Sequence, residues 1–264
     1  MALRIRILFV ATALGALLAL GACNKVEPDP VEKVNLLDLL NAQSTVVRGQ
    51  TIQSTAMKRQ MKYDVYLPPH FDKKTAYPIL YLLHGAGDDQ DAWLDKGNAQ
   101  SIADSYVNKG GKPMIIVMPD AQLTFYMGDF ETYFHEELMP TVEKAYKFSG
   151  KRAVAGLSMG GFGTLYHALK YPEKFTYGYA MSPATADWFP TLIDAQADKK
   201  VFPPFTIEVG EQDTTVDNGA AKTLADYMSS QGLKVEWISR AGIHYWNFWQ
   251  ECLPKALKKI GETF

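Results

Sequence analysis

The sequence predicts an α/β protein whose sheet is mostly parallel, with helices on both faces and an antiparallel pair of strands at its N-terminal side. Short, unbroken apolar runs recur along the chain, as is typical of strands buried on both faces. Helical stretches alternate with these runs, and that order forms a parallel sheet through right-handed crossovers. Before them, residues 46–68 alternate well enough between polar and apolar positions to predict two antiparallel strands.

The later elements follow from the alternation of apolar runs and helical stretches. The apolar runs predict strands at 77–83, 114–118, 153–155, 177–181, 205–209 and 235–238. The stretches between them predict helices at 99–108, 130–146, 161–169, 219–231 and 245–260. No internal repeat or second domain boundary interrupts this order, so residues 45–264 are expected to form one domain.

Charge and cysteine content exclude several classes of protein. Lysine and arginine number 27 against 29 acidic residues, so the chain lacks the basic surplus of a nucleic-acid-binding protein. Its two cysteines are too few for a disulfide-rich scaffold or a cysteine-based zinc site. We therefore expect neither a nucleic-acid partner nor a metal.

The start of the sequence has the features of an export signal. Two arginines precede an apolar run at 7–20, which is shorter than the roughly 20 residues of a membrane span. The sequence Leu-Gly-Ala-Cys at 20–23 resembles the bacterial lipobox, in which the cysteine is lipidated. We expect residues 1–22 to be a lipoprotein signal peptide and Cys23 to carry the lipid. The alternative is a plain signal peptide with an incidental cysteine.

A tether is expected to follow the signal. Prolines and acidic side chains at 24–33 predict a solvated segment, and residues 23–44 together would form the lipid anchor and its tether. Acyl chains hold a protein at a membrane surface without a spanning helix. The expected location is therefore the cell envelope, as an exported lipoprotein that is periplasmic or surface-exposed.

The sequence Gly-Leu-Ser-Met-Gly at 156–160 has the G-x-S-x-G pattern of a nucleophile elbow. It follows the strand predicted at 153–155 and leads directly into the helix predicted at 161–169. Glycines two residues either side of the serine leave room for the tight turn. The N-terminus of the following helix favours developing negative charge. Ser158 is therefore predicted to be a nucleophile.

A serine nucleophile needs a base, and the base needs an acid that orients it. In α/β-hydrolases the acid and then the histidine follow the serine along the chain. The chain has five histidines, namely His70, His84, His135, His167 and His244. Of the two that follow Ser158, His167 lies within the elbow helix and cannot turn back to the serine. His244, on a loop after the last predicted strand, is the predicted base.

The acid is expected after the strand at 205–209. Asp213 is favoured because it follows that strand and the glycine that ends it. Asp217 and Glu211 are the alternatives, and either could instead cap a helix or be a solvated loop charge.

An oxyanion hole needs two backbone donors. One is expected to be the amide of Met159, directly after the nucleophile. The other is expected in the glycine-rich loop after the strand at 77–83, where Ala86 is favoured and Gly85 is next. His84 is expected to anchor this loop by hydrogen bonds rather than to transfer protons.

Several motifs resemble those of one known family. They are YLLHG at 81–85, Trp93, PMIIVMPD at 113–120, ELMP at 137–140, AGLSMGGFG at 155–163, YPEKF at 171–175 and HYW at 244–246. Together they resemble the putative-esterase family related to esterase D, over about residues 63–257. That family includes feruloyl and acetylxylan esterases of carbohydrate esterase family 1, S-formylglutathione hydrolases, tributyrin esterases and mycolyltransferases.

The resemblance implies an α/β-hydrolase fold that carries out two-step acyl transfer without a cofactor. It implies that Ser158, Asp213 and His244 form the triad and that Ala86 and Met159 form the oxyanion hole. The expected substrate is a feruloyl or acetyl ester of plant or microbial carbohydrate. The alternatives are a broad-specificity esterase for short acyl chains, as in the tributyrin type, and an acyltransferase to a sugar or lipid hydroxyl. A non-catalytic binding protein is disfavoured because every triad position is filled.

Aromatic rings near the expected site could bind the substrate. The rings in question are Trp93, Phe125, Tyr126, Trp188, Tyr245 and Trp246. Of these, Trp93, Tyr126 and Trp246 are the predicted substrate-binding residues, although core or rim packing is the favoured explanation for any single ring. Two segments, 124–129 and 187–204, match no subfamily, and the second would be either a lid or an irregular helix.

Overall fold

The computed structural model describes residues 43–196 and 201–264. The predicted signal peptide, the lipidation of Cys23 and nearly all of the tether lie outside the described residues. In the described ranges, one sheet has the strand order β1-β2-β4-β3-β5-β6-β7-β8. Its strands are β1 Thr45–Ser54, β2 Arg59–Leu67, β3 Tyr77–Leu83, β4 Ile115–Pro119, β5 Phe148–Leu157, β6 Gly178–Met181, β7 Phe205–Gly210 and β8 Val235–Arg240.

Strand directions confirm the predicted architecture. β1 pairs antiparallel with β2, and β2 pairs antiparallel with β4. From β4 through β3 to β8, all neighbouring strands are parallel. Because parallel strands end at one edge, the loops after β3 to β8 gather at the carboxyl edge of the sheet.

Helices follow the strands in the predicted order. They are α1 Ala92–Asp95, α2 Ala99–Asn108, α3 Asp129–Thr132, a π-helix Tyr133–Leu138, α4 Met139–Ala145, α5 Met159–Lys170, a 3₁₀ turn Pro172–Lys174, α6 Phe189–Asp194, α7 Asn218–Ser230 and α8 Trp246–Gly261. The stretch predicted as one helix over 130–146 contains the π-helical turn. The helix α1 was not predicted, because four residues are too few to repeat an apolar period. The helix α6 lies in the segment 187–204, for which an irregular helix was one of the two expectations.

Two apolar cores cover the two faces of the sheet. One core contains the buried side chains of α2 and α8, including Ala103 and Leu253. The other contains those of the π-helix, α5, α6 and α7, including Phe134 and Leu165. Each large apolar side chain removed from water in this way contributes about 1.5–3 kcal/mol to folding. The carboxyl edge of the sheet therefore has the α2 and α8 core on one face and the α5, α6 and α7 core on the other. We call these the α8 side and the α5 side of the candidate site.

None of the helices in residues 43–196 and 201–264 is both long enough and apolar enough to span a membrane.

Candidate active site

Ser158 lies at the sharp turn between β5 and α5. Its backbone has φ 54° and ψ −115°, a conformation with positive φ that is costly for a residue with a Cβ. Hydrogen bonds of the Ser158 amide and carbonyl hold the residue in this strained conformation. The Ser158 amide donates to the Met181 carbonyl at 2.9 Å, and the Ser158 carbonyl accepts from Phe162 at 2.9 Å and from Ala184 at 3.2 Å. The side chain keeps partial access to solvent.

The two glycines of the motif allow this turn by close approach. A Cβ at Gly156 would lie 2.5 Å from the Gly160 carbonyl oxygen, and a Cβ at Gly160 would lie 2.4 Å from the Leu83 oxygen. Real Cβ atoms do not approach backbone so closely, so both positions require glycine. The second contact also shows that the turn packs directly on the end of β3.

Asp213 and His244 meet at the carboxyl edge. The Nδ1 atom of His244 lies 2.6 Å from Oδ2 of Asp213, whose side chain is fully buried. The other carboxylate oxygen of Asp213 accepts from the amides of Thr215 at 2.9 Å and Val216 at 3.4 Å. A carboxylate fixed in this way orients the imidazole, with its Nδ1 protonated and its Nε2 free to accept a proton.

The two other acids considered from the sequence have different environments. Asp217 caps α7, because its carboxylate accepts from the Ala220 amide at 2.9 Å. Glu211 is exposed. Of the three acids, Asp213 is the one bonded to His244.

The loop that carries His244 is fixed to the neighbouring strand end. The Gly242 amide donates to Oε1 of Gln212 at 2.8 Å, and the Gln212 amide donates to the Gly242 carbonyl at 2.9 Å. Below the loop, Arg240 pairs with the buried carboxylate of Glu208 at 2.5 Å. These contacts attach the end of β8 to β7 and so fix the loop that carries the imidazole.

A chain of edge-to-face rings supports His244 from the α8 side. His244 lies 4.9 Å from the Trp249 ring, Trp249 lies 5.3 Å from Trp246, and Trp246 lies 5.3 Å from Trp93. The Trp93 indole donates to the Leu83 carbonyl at 2.9 Å. The base is thus connected through packed rings to the end of β3, on the opposite side of β5.

Ser158 and His244 share this edge without a direct hydrogen bond. Within residues 43–196 and 201–264, no hydrogen bond joins the Ser158 hydroxyl to the imidazole. Such bonds are commonly long in structures without substrate. The structure therefore assembles the acid and base as a bonded pair and places the serine on the same edge.

The loop predicted to bind the oxyanion lies beside Ser158. A Cβ at Gly85 would lie 3.6 Å from Cβ of Ser158, and Ala86 is exposed. Met159 is the first residue of α5, so its amide has no acceptor within its own helix. The loop that contains Ala86 and the amide of Met159 therefore both lie next to the serine.

His84 anchors this loop, as expected. Its Nε2 accepts from the Ala121 amide at 2.9 Å, and its Nδ1 lies 2.7 Å from the Gly85 carbonyl oxygen. An amide must donate and a carbonyl must accept, so the ring is neutral with its proton on Nδ1. Burial lowers the pKa of His84, which agrees with the neutral form.

Two of the three predicted substrate-binding rings require correction. Trp93 and Tyr126 are both 0% exposed, so neither can stack on a substrate in this structure. Their polar atoms point into the protein, to the carbonyls of Leu83 and His84. Trp246 remains partly exposed, and its role in binding stays a prediction.

Two further accessible rings lie on the α5 side of the serine. Phe125 and Trp188 are 38% and 39% exposed. Each packs edge to face on Phe162, at 5.4 Å and 5.9 Å. Phe162 lies one turn after Ser158 in α5. We call Phe125, Phe162 and Trp188 the aromatic wall.

Sequence reasoning did not identify this wall. Phe125 and Trp188 were among the rings considered, whereas Phe162 was not. A signal was present, because a residue four positions after an elbow serine lies on the same face of the helix. The segment at 187–204 contains Trp188 and the helix α6, and its residues 197–200 lie outside the described ranges.

Most of the chain is similar to known esterases. A family model described as "Putative esterase" matches residues 54–260. An endo-1,4-beta-xylanase/feruloyl esterase of Xylanibacter ruminicola is 31% identical over 234 residues, which cover 81% of this chain and 31% of that protein. An esterase of Mycobacterium tuberculosis is 36% identical over 138 residues, covering 47% of this chain and 29% of that protein. The chain spans about a third of the length of these curated relatives.

Solved structures show the same fold. A ferulic acid esterase superposes with a TM-score of 0.73 at 26% identity and covers 85% of this chain and 100% of its own. A ferulic acid esterase of Anaeromyces mucronatus, solved with ferulic acid, gives a TM-score of 0.72 at 21% identity, covering 89% and 96%. The predicted α/β-hydrolase fold is confirmed.

Proposed function

Because the chain belongs to the putative-esterase family, we propose that it is a serine-dependent carboxylic-ester hydrolase that acts on acyl esters of carbohydrates. One observation carries this proposal: a buried carboxylate holds an imidazole at the sheet edge where a strained serine stands. Hydrolysis of methyl ferulate and of p-nitrophenyl acetate, measured with and without the Ser158 hydroxyl, tests it.

The first step of the proposed reaction forms an acyl-enzyme. Oγ of Ser158 attacks the ester carbonyl carbon while Nε2 of His244 takes the hydroxyl proton. The carboxylate of Asp213 stabilises the imidazolium that results. The amides of Ala86 and Met159 donate to the oxyanion, and loss of one such donor typically raises the barrier by about 3–4 kcal/mol. The tetrahedral intermediate then collapses, and His244 gives its proton to the departing alcohol.

The second step releases the acid. Water loses a proton to Nε2 of His244 and attacks the acyl carbon. Collapse of this second intermediate returns the proton to Oγ of Ser158 and frees the carboxylic acid. Each proton is carried by the same nitrogen, so the fixed tautomer of His244 serves both steps.

The aromatic wall supports an aromatic acyl group as substrate. Phe125 and Trp188 expose ring surface to solvent, and Phe162 connects both rings to the first turn of α5. A hydroxycinnamoyl ring can stack on such a surface, whereas an acetyl group is too small to reach it. A relative named as a feruloyl esterase and solved ferulic acid esterases point to the same class.

Removing the Trp188 ring should therefore weaken binding of aromatic esters selectively. For Trp188→Ala we expect KM for methyl ferulate to rise about tenfold, equivalent to about 1.4 kcal/mol of lost ring contact. Turnover of p-nitrophenyl acetate should stay within about twofold, since its acetyl group does not reach the wall. Steady-state kinetics with both esters give the comparison.

Tyr245→Ala is the matched control for Trp188→Ala. Tyr245 is 61% exposed and lies at the start of α8, whose core covers the other face of the sheet. Its loss should leave KM for methyl ferulate unchanged. Equal effects of both substitutions, or equal effects of Trp188→Ala on both esters, would show that the wall does not bind the acyl ring.

We also propose that the protein is an exported lipoprotein of the cell envelope, anchored through Cys23. The lipobox-like sequence at 20–23 supports this location. On Triton X-114 partitioning the full-length protein should enter the detergent phase, and Cys23→Ser should move it to the aqueous phase. Cys252→Ser is the control, since Cys252 is buried in the α8 core. A wild-type protein found only in the aqueous phase would contradict the anchor.

A further inference from the structure

The hydroxyl of Tyr126 donates a hydrogen bond to the backbone of the oxyanion loop. Its acceptor is the His84 carbonyl oxygen at 2.9 Å, two residues before Ala86. We propose that Tyr126 is a positioning residue that orients the Ala86 amide toward the oxyanion. This inference rests on the proposed function, and it assigns to Tyr126 a role other than the substrate contact expected from sequence.

The link from Tyr126 to Ala86 passes through His84. The Nδ1 proton of His84 is donated to the Gly85 carbonyl at 2.7 Å. That carbonyl belongs to the same planar peptide unit as the Ala86 N–H, so its direction fixes the direction of the amide. Tyr126 in turn holds the carbonyl of His84 itself. Two consecutive peptide units of the loop are thus fixed before a substrate arrives, as an effective oxyanion hole requires.

Tyr126 is held in a conformation that sequence propensity does not favour. Phe125 and Tyr126 have φ of 52° and 61°, a region that side chains with a Cβ seldom adopt. Strained residues of this kind persist where the surrounding structure determines them, and they cluster at functional sites. The bond from the Tyr126 amide to Oγ1 of Thr124 at 3.2 Å, and that from Oγ1 to the Ala121 carbonyl at 2.8 Å, close the turn.

Packing explains how the strained conformation is retained. The Tyr126 ring meets Phe130 edge to face at 5.2 Å and is fully buried. A Cβ at Gly163 in α5 would lie 2.6 Å from the ring, so α5 closes over it directly. The same turn that buries Tyr126 directs Phe125 outward into the aromatic wall. In this strained pair, Phe125 therefore contributes its ring to the aromatic wall, and Tyr126 donates its hydroxyl proton to the oxyanion loop.

Tyr126→Phe isolates the hydroxyl, because it keeps the ring and its packing. We expect kcat for p-nitrophenyl acetate and for methyl ferulate to fall by the same factor, about tenfold, with KM for each ester within twofold of wild type. Rates are expressed per active site titrated with a fluorophosphonate. The second-order rate of fluorophosphonate labelling should fall by a similar factor, because the phosphoryl oxygen also occupies the oxyanion hole.

Tyr133→Phe is the matched control. Tyr133 is also 0% exposed and also contacts Phe130, but its hydroxyl has no hydrogen-bond partner in the described ranges. Its kcat should stay within twofold of wild type. If Tyr126→Phe fails to fold, Thr124→Val loosens the same turn with the tyrosine intact and should give the same fall in kcat.

Two results would overturn the inference. One is that Tyr126→Phe turns over like Tyr133→Phe, and the other is that its loss lies in KM alone. Neither result would contradict the proposed function, provided that wild-type activity still depends on Ser158. If the wild-type protein hydrolysed neither ester, that result would instead contradict the proposed function and, with it, this inference.

Discussion

Ser158→Ala should abolish ester hydrolysis. We expect kcat for p-nitrophenyl acetate to fall by about 10⁵- to 10⁶-fold, the loss typical of removing the nucleophile from a serine hydrolase. The Ser158 hydroxyl is the atom that forms the acyl-enzyme, and neither the imidazole nor the oxyanion donors can replace it. Initial rates on purified protein, followed by nitrophenolate release, give the measurement.

Ser182→Ala is a stringent control for this loss. Ser182 directly follows the neighbouring strand β6, is fully buried and also has a positive φ, of 40°. Its hydroxyl has no partner among the described residues, so its removal should change kcat by less than about threefold. Substantial turnover by Ser158→Ala in a preparation free of other esterases would refute a serine mechanism at this site.

Asp213→Asn should have the second-largest effect, a fall in kcat of about 10⁴-fold with the fold intact. The amides of Thr215 and Val216 need an acceptor, so the Asn oxygen will take the place of Oδ1. Its NH₂ group then faces Nδ1 of His244 in the place of Oδ2. An imidazole that accepts at Nδ1 carries its proton on Nε2, so it cannot take the serine proton.

Asp217→Asn separates this effect from a general loss of acidic charge. Asp217 caps α7, and Asn caps helices about as well as Asp. Activity and melting temperature should therefore match wild type. If Asp217→Asn lost activity and Asp213→Asn kept it, the acid would have to be reassigned.

The elbow and the order of its partners could be predicted because their signals are local. Gly156, Ser158 and Gly160 lie within five residues between a strand and a helix, so the turn is determined by the motif itself. Asp213 and His244 could be placed because each follows a strand of one parallel sheet. The choice among Asp213, Asp217 and Glu211 needed coordinates, since all three lie in the same loop region.

The substrate-binding rings could not be predicted, because burial depends on contacts distant in sequence. Trp93 and Tyr126 follow strands as Phe125 does, yet they turn inward to carbonyls at the end of β3. Phe125 and Tyr126 are adjacent, yet Phe125 is 38% exposed and Tyr126 is buried, and both residues have a positive φ. Composition and periodicity contain no signal for a backbone conformation of this kind.

Labelling with a fluorophosphonate tests the central claim most directly, since it reports the nucleophile and its activation together. Mass spectrometry of the labelled, digested protein should place the adduct on the peptide that contains Ser158. The labelling rate should fall more than about 100-fold in His244→Ala and stay unchanged in His70→Ala, whose histidine is exposed. An adduct on another residue, or equal rates in wild type and His244→Ala, would contradict the account.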